Sequence, residues 1–190
     1  SSATRDLFNA KTKVAVSDDT TLTLVANYIN TPVALDPLGL TKAQVMQNPE
    51  QAGTNAVLFN TRKSFSNIQG GLIWDKRLTD QDTIHMLGYI GSRQVTQFLG
   101  VTPAAQIPPS SSGGVVDLNN QFYGANAQWS RKMQLASRPL TFTAGINYDD
   151  MQQHREGFNN FTGPAVNPTA FGVAGTLRRD ENNTVFDFDQ

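Results

Sequence analysis

The stretch that most constrains the fold is the nine-residue run 140–148. Apolar or aromatic side chains occupy every second position, namely Leu140, Phe142, Ala144, Ile146 and Tyr148. The positions between them carry Thr, Gly or Asn, without the long charged side chains of an ordinary solvated face. A two-residue period is that of a β-strand, whose side chains alternate between two faces. The run therefore predicts a strand whose apolar face meets either a protein core or lipid.

The composition narrows the class of protein. Charged residues make up 16% of the 190 residues, against about 25% in typical soluble domains. The net charge of −1 supplies no field that would attract nucleic acid, so we expect no nucleic-acid partner. The chain has no cysteine and no apolar run long enough for a transmembrane helix. A β-strand crosses a bilayer in about 9–11 residues of alternating character, so the lack of such a helix does not exclude a membrane protein.

The same alternation recurs along the chain and predicts about seven long strands. They are expected at 8–16, 21–30, 62–77, 83–98, 115–132, 140–157 and 178–190. Short turns at 17–20, 78–82 and 133–139 alternate with long loops at about 31–61, 99–114 and 158–177. This pattern predicts an all-β, antiparallel meander.

Two details of this pattern are more specific. Thr41-Lys-Ala-Gln44 has the form of a capping box and predicts a short helix in the first loop, which Pro49 ends. The phase of the fourth strand is ambiguous, because two alternating sets compete there. We favour the set Ile84, Met86, Gly88 and Ile90 for the apolar face.

Aromatic residues and strand length favour a membrane barrel. Trp74 and Trp129 lie just before short turns, and Tyr28 and Tyr148 lie near the long-loop ends, all on the apolar face. Trp and Tyr collect at both rims of membrane barrels, although they also fill the cores of soluble sandwiches. Strands of about 14–18 residues exceed the usual 3–10 of globular sheets. Bacterial barrels have even strand numbers, so residues 1–190 are expected to form a partial β-barrel domain, incomplete at both ends.

One loop carries a resemblance to a known family. Asp36-Pro-Leu-Gly-Leu-Thr41, followed by Ala43-Gln44 and Asn48-Pro49 after a Tyr-containing strand, resembles the TonB-dependent outer-membrane receptors, particularly those for ferric siderophores and other iron chelates. The flanking stretches 1–10 and 177–190 resemble strand starts of the same family. The resemblance implies an internal segment of a transmembrane β-barrel of about 22 strands around a lumen-filling plug. Its short turns would be periplasmic and its long loops extracellular.

The resemblance also implies a function and partners. The whole protein would bind a ferric siderophore or similar metal chelate and take it up across the bacterial outer membrane. Energy would come from the TonB complex through a plug domain that is not visible in this sequence. Outer-membrane lipid would surround the barrel.

Motifs for catalysis are missing from the sequence, so we expect no enzyme, no cofactor and no metal site. There is no Gly-x-Ser-x-Gly and no phosphate-binding glycine loop, and the two histidines lie far apart. As a hypothesis, side chains near the extracellular strand ends contact the chelate, because cationic and aromatic groups suit anionic catecholate or carboxylate ligands. These are Arg93, His154, Arg155, Phe158 and Phe161. Lys11, Lys13, Asn126, Gln128 and Asn147 would face the lumen.

Two alternatives remain open at this point. Another outer-membrane channel, such as a porin, obeys the same strand rules but lacks a plug domain. A soluble β-sandwich ligand-binding module would be monomeric without detergent, with Leu140, Phe142 and Ile146 buried in its core.

Overall fold

The computed structural model describes residues 2–189 and confirms an all-β fold dominated by one antiparallel sheet. Its seven long strands lie side by side in the order in which they occur along the chain, as a meander. Their bounds are β1 (Asp6–Ser17), β2 (Thr20–Leu35), β3 (Arg62–Arg77), β4 (Asp82–Phe98), β5 (Val115–Leu135), β6 (Arg138–Phe158) and β9 (Leu177–Asp189). The two-residue strands β7 (Phe161–Thr162) and β8 (Ala170–Phe171) form a separate small pair in the third long loop.

The turn between β5 and β6 is shorter than the predicted 133–139. Only Ala136 and Ser137 separate the two strands, and both have positive φ angles, 49° and 61°. A two-residue turn with positive φ at both positions matches the twist of the strands it joins. Both strands can therefore continue to the turn, which makes each of them 21 residues long.

The register of the sheet places one alternating, mostly apolar set of residues from each of the seven strands on the same face. Residues directly opposite each other on antiparallel strands share a face. Trp74 lies opposite Met86, Met86 lies opposite Ala127, and Ala127 lies opposite Ile146. The predicted phase of β4 is thereby confirmed. We call this side the apolar face and the other side the polar face.

Nothing within residues 2–189 covers the apolar face. Ile146 keeps 52% of its surface exposed, and Phe186 keeps 72%. Further exposed large side chains on this face are Leu24, Leu72, Ile90, Phe142 and Phe188. Soluble monomers rarely expose contiguous apolar patches larger than a few hundred Å². The face therefore requires a partner outside these residues.

Within residues 2–189, three of the four buried apolar side chains lie in the long loops, and the fourth, Val115, begins β5. Residues 36–61, 99–114 and 159–176, which we call the loop cap, share buried side chains. Phe59 is 1% exposed, and its ring meets that of Phe171 edge-on with centroids 5.5 Å apart. A buried side chain on one loop thus packs against another loop.

The predicted helix is present in the first loop as α1 (Lys42–Gln47). The Gln44 amide donates to Thr41 Oγ1 at 3.3 Å, and the Thr41 amide donates to Gln44 Oε1 at 2.8 Å, which confirms the capping box. A second helix, α2 (Thr54–Leu58), and a 3₁₀ turn (Pro103–Gln106) were not predicted. No helix within residues 2–189 is long and apolar enough to cross a membrane.

Candidate functional site

The polar face carries a group of cationic side chains at its loop-cap end. Lys63 and Arg179 share one transverse row, because Lys63, Gln97, Val116, Gly157 and Arg179 follow each other across the register. Arg155 lies in the next row, opposite Leu118 and Glu181. Arg93 lies in the row after that. Four strands thus each contribute one cation to the same face; we call Lys63, Arg93, Arg155 and Arg179 the cationic group.

Two members of the cationic group are held in place by neighbours. The guanidinium carbon of Arg93 lies 5.6 Å from the centroid of the Phe65 ring. Arg179 Nη2 lies 2.6 Å from Glu181 Oε2, and Arg179 Nη1 donates to Ser112 Oγ at 3.1 Å. Glu181 neutralises one of the four positive charges, so the group retains an excess of positive charge that suits an anionic ligand.

Amide side chains continue the polar face next to the cationic group. Arg93 shares its row with Asn67, Asn120, Gln153 and Asn183. Asn120 is 8% exposed, and its buried Oδ1 has no hydrogen-bond partner within the described residues. Amides both donate and accept hydrogen bonds, so this row can bind the polar atoms of a ligand that the cations attract.

Aromatic and acidic groups occupy the polar face further from the loop cap. The Tyr89 hydroxyl donates to Asp149, whose Oδ2 also accepts from Asn147 Nδ2 at 2.6 Å. Gly124 leaves the space for this contact, because a Cβ there would lie 2.6 Å from the Tyr89 ring. The Phe122 ring similarly lies over Gly91, where a Cβ would lie 2.6 Å from Phe122 Cε2. Two large rings therefore lie close over glycines of the neighbouring strand.

The five residues proposed from the sequence do not form one cluster. Arg93 and Arg155 share the polar face, as described above. His154 lies on the opposite side of β6, in register with Asn119 and Asn182. Phe158 ends β6, where its carbonyl accepts from the Gly114 amide at 2.8 Å. Phe161 is 2% exposed inside the loop cap. That these residues contact a ligand stays a prediction. Arg93 and Arg155 lie on the polar face, where a ligand could reach them.

A separate polar group lies on the other side of β6, beyond Tyr148 toward the loop cap. His154 Nε2 lies 2.8 Å from Asp180 Oδ1. Ligand atoms of His154, Glu156 and Asp180 all lie within 4.8 Å of one another, so these residues can hold a metal ion. The hydrogen bond to Asp180 raises the pKa of His154 above its usual 6.5, and the charges of Glu156 and Asp117 add to this.

Lys63 and Arg179 were missed as candidates from the sequence. Lys63 follows a loop that contains two helices, and Arg179 follows the third loop, so only the register of the whole sheet brings them to Arg155. Alternation within β3 did indicate the face on which Lys63 lies. Lys63 is an even number of positions from Ile73, Asn67 and Gln69, which share its face, and an odd number from Ile68 and Trp74.

No model of a known protein family matches this chain.

Proposed function

We propose that the chain forms part of the wall of a bacterial outer-membrane β-barrel receptor that binds and takes up a ferric siderophore or a similar metal chelate. The observation that supports a membrane position most strongly is the apolar face, which continues across seven neighbouring strands and has no cover within residues 2–189. A barrel wall needs this arrangement, with lipid on one face and a polar lumen on the other.

The height of the apolar face fits a bilayer. The run from Leu140 to Tyr148 extends about 27 Å along β6 at a rise of about 3.4 Å per residue. A barrel strand tilts by about 35–45°, which reduces this length to about 20 Å along the membrane normal. Outer-membrane barrels have apolar bands of about 25 Å, so this strand supplies most of the required height.

The sheet needs further strands to close. Successive strands of a meander alternate in direction, so β1 and β9 at its two edges run the same way. They cannot pair with each other in an antiparallel barrel. Closure takes an odd number of additional antiparallel strands, which gives the even total of bacterial barrels and is compatible with about 22. In lipid this closure is obligatory, because every backbone donor and acceptor needs a partner.

The cationic group supports an anionic ligand. Arg93, Arg155, Lys63 and Arg179 lie at the loop-cap end of the polar face, which is the lumen mouth in a barrel. A chelate with catecholate or carboxylate groups would bind the guanidinium groups there before transport. Transport past the plug would use energy from the TonB complex. This step would involve parts of the protein other than the cationic group.

Substitution in the full-length product of the gene tests the ligand assignment. We expect Arg93→Ala and Arg155→Ala each to weaken chelate binding by about ten- to a hundredfold, because a charge-assisted hydrogen bond contributes about 1.5–3 kcal/mol. Lys13→Ala is the matched control. Lys13 lies on the polar face, like the two arginines, but near the short-turn end of β1. Equal binding by all three variants and the parent would contradict the assignment. Loss of binding in a protein without a plug domain would instead favour an anion-selective channel.

A further inference from the structure

Asp150 stands out among the residues of the apolar face because it is buried and has no cationic partner within residues 2–189. It lies opposite Tyr123 on β5 and Phe186 on β9, and it follows Tyr148 on the same side of β6. Its side chain is 9% exposed, and its Oδ1 atom is buried without a hydrogen bond. Asp150 takes part in no ion pair within residues 2–189.

Among residues 2–189, no cation forms an ion pair with this carboxylate. His154, on the same side of β6, is already paired with Asp180. Arg155 points to the polar face with Leu118 and Glu181. A buried charge without a partner is costly, and either protonation or a cation that comes from outside these residues removes the cost.

Aromatic rings surround the position where such a cation would bind. The Tyr123 and Tyr148 rings have centroids 6.3 Å apart and are inclined at 48° to each other. The Tyr148 hydroxyl lies 3.4 Å from Asp150 Oδ2, and both rings are exposed on the apolar face. Aromatic faces together with a negative charge attract ammonium groups more than they attract hydrated metal ions.

We propose that Tyr123, Tyr148 and Asp150 form a binding site for the primary ammonium group of a lipid headgroup of the ethanolamine type. The inference rests on the proposed membrane position, which puts the two tyrosines at the depth of the headgroups. The ammonium lies against the tyrosine faces, and the Asp150 carboxylate below them provides the opposite charge. The site fixes one lipid at the loop-cap rim of the barrel wall.

Lipid retention by the full-length product tests this site. The purified protein is delipidated in detergent and mixed with phosphatidylethanolamine, N-acetylated phosphatidylethanolamine or phosphatidylglycerol, and retained lipid is counted by native mass spectrometry. Acetylation removes the ammonium charge and leaves the rest of the lipid. We expect the parent to retain phosphatidylethanolamine about tenfold better than its acetylated form.

Three variants locate the effect. Asp150→Asn and Tyr148→Leu are expected to lower the preference for the unmodified lipid to less than about twofold, whereas Asp187→Asn on the polar face should keep it. Equal retention of both ethanolamine lipids by the parent, or an unchanged preference in Asp150→Asn, overturns the ammonium site while leaving a membrane barrel intact. A protein that retains none of the three lipids overturns the membrane position and the site with it.

Discussion

Replacement of Ala144 by lysine places a charge at the middle of the apolar face of β6. Ala144 is the central residue of the run 140–148, about 14 Å along the strand from either end. It lies opposite Trp129, whose indole Nε1 donates to Asp82 Oδ1 at 3.1 Å. A lysine at the midplane of an outer-membrane barrel destabilises the folded state by about 2–4 kcal/mol, and the cost falls to about 0–1 near the interfaces. Because Ala144 is central on β6 but lies beside the rim residue Trp129, we expect Ala144→Lys to lose an amount between these two values, about 1–3 kcal/mol of unfolding free energy.

Two further variants separate the effect of lipid from other causes. Thr143→Lys adds the same charge to the neighbouring residue on the polar face, where Thr143 Oγ1 lies 3.0 Å from Ser130 Oγ, and should cost less than about 1 kcal/mol. Ala144→Leu adds apolar surface toward lipid and should be neutral or stabilising. The assay is reversible urea unfolding of the full-length product in lipid vesicles, followed by tryptophan fluorescence.

The three variants together can refute the reasoning. If a second protein layer covered the apolar face, Ala144→Leu would overpack it and cost about 1–3 kcal/mol. If the face met water, Ala144→Lys would be nearly neutral. Equal losses for Ala144→Lys and Thr143→Lys would remove the distinction between the two faces.

Three further predictions concern the loop cap, the polar face and the outer side of β6. Asn160→Ala removes bonds from a fully buried side chain to the carbonyls of Leu99 and Val101 and to Gln106, so we expect a loss of about 1–3 kcal/mol and faster hydrogen exchange in residues 99–114. Gly124→Ala pushes a Cβ into the Tyr89 ring and should cost about 1–3 kcal/mol in urea unfolding. His154 should titrate above 6.5 by NMR, and Asp180→Asn should lower its pKa.

Each of these predictions has an outcome that contradicts it. Unchanged exchange in the second loop would show that Asn160 does not hold the loop cap together. A Gly124→Ala protein as stable as the parent would mean that Tyr89 can move aside freely. Because the pKa of His154 is raised in the folded state, its ion pair stabilises the protein fully below pH 6.5. The stabilisation is lost as the pH rises through the folded-state pKa. A His154 pKa at or below 6.5 would contradict the pairing with Asp180.

The strands were predictable because their signal is local. The two-residue period of the run 140–148 can be read from adjacent residues, and it occurs in lipid-facing and core-facing strands alike. The capping box at Thr41 and Gln44 is equally local, since both partners lie within one helical turn. In β4 the ambiguity between Met86 and Leu87 was resolved only by the pairing of Met86 with Trp74.

The loop cap was not predictable, because its contacts join distant parts of the chain. Gln106 bonds to Asn160 across 54 residues, and Phe59 packs on Phe171 from a different loop. No period or motif near any of these four residues predicts such a contact. The same reason explains the candidate site: Arg93 and Arg155 were proposed one by one, whereas the sheet register adds Lys63 and Arg179 and separates His154 from them.

The most direct measurement of the central claim is the accessibility of spin labels along β6. Single cysteines at each position from 140 to 148 would carry a nitroxide in the vesicle-embedded full-length product, and collisions with apolar oxygen and with a water-soluble nickel chelate would be compared. A wall facing lipid predicts high oxygen and low nickel accessibility at Leu140, Phe142, Ala144, Ile146 and Tyr148, and reversed values at the positions between them. Nickel accessibility at both sets, or shielding of the first set from oxygen and nickel alike, would contradict a lipid-facing wall.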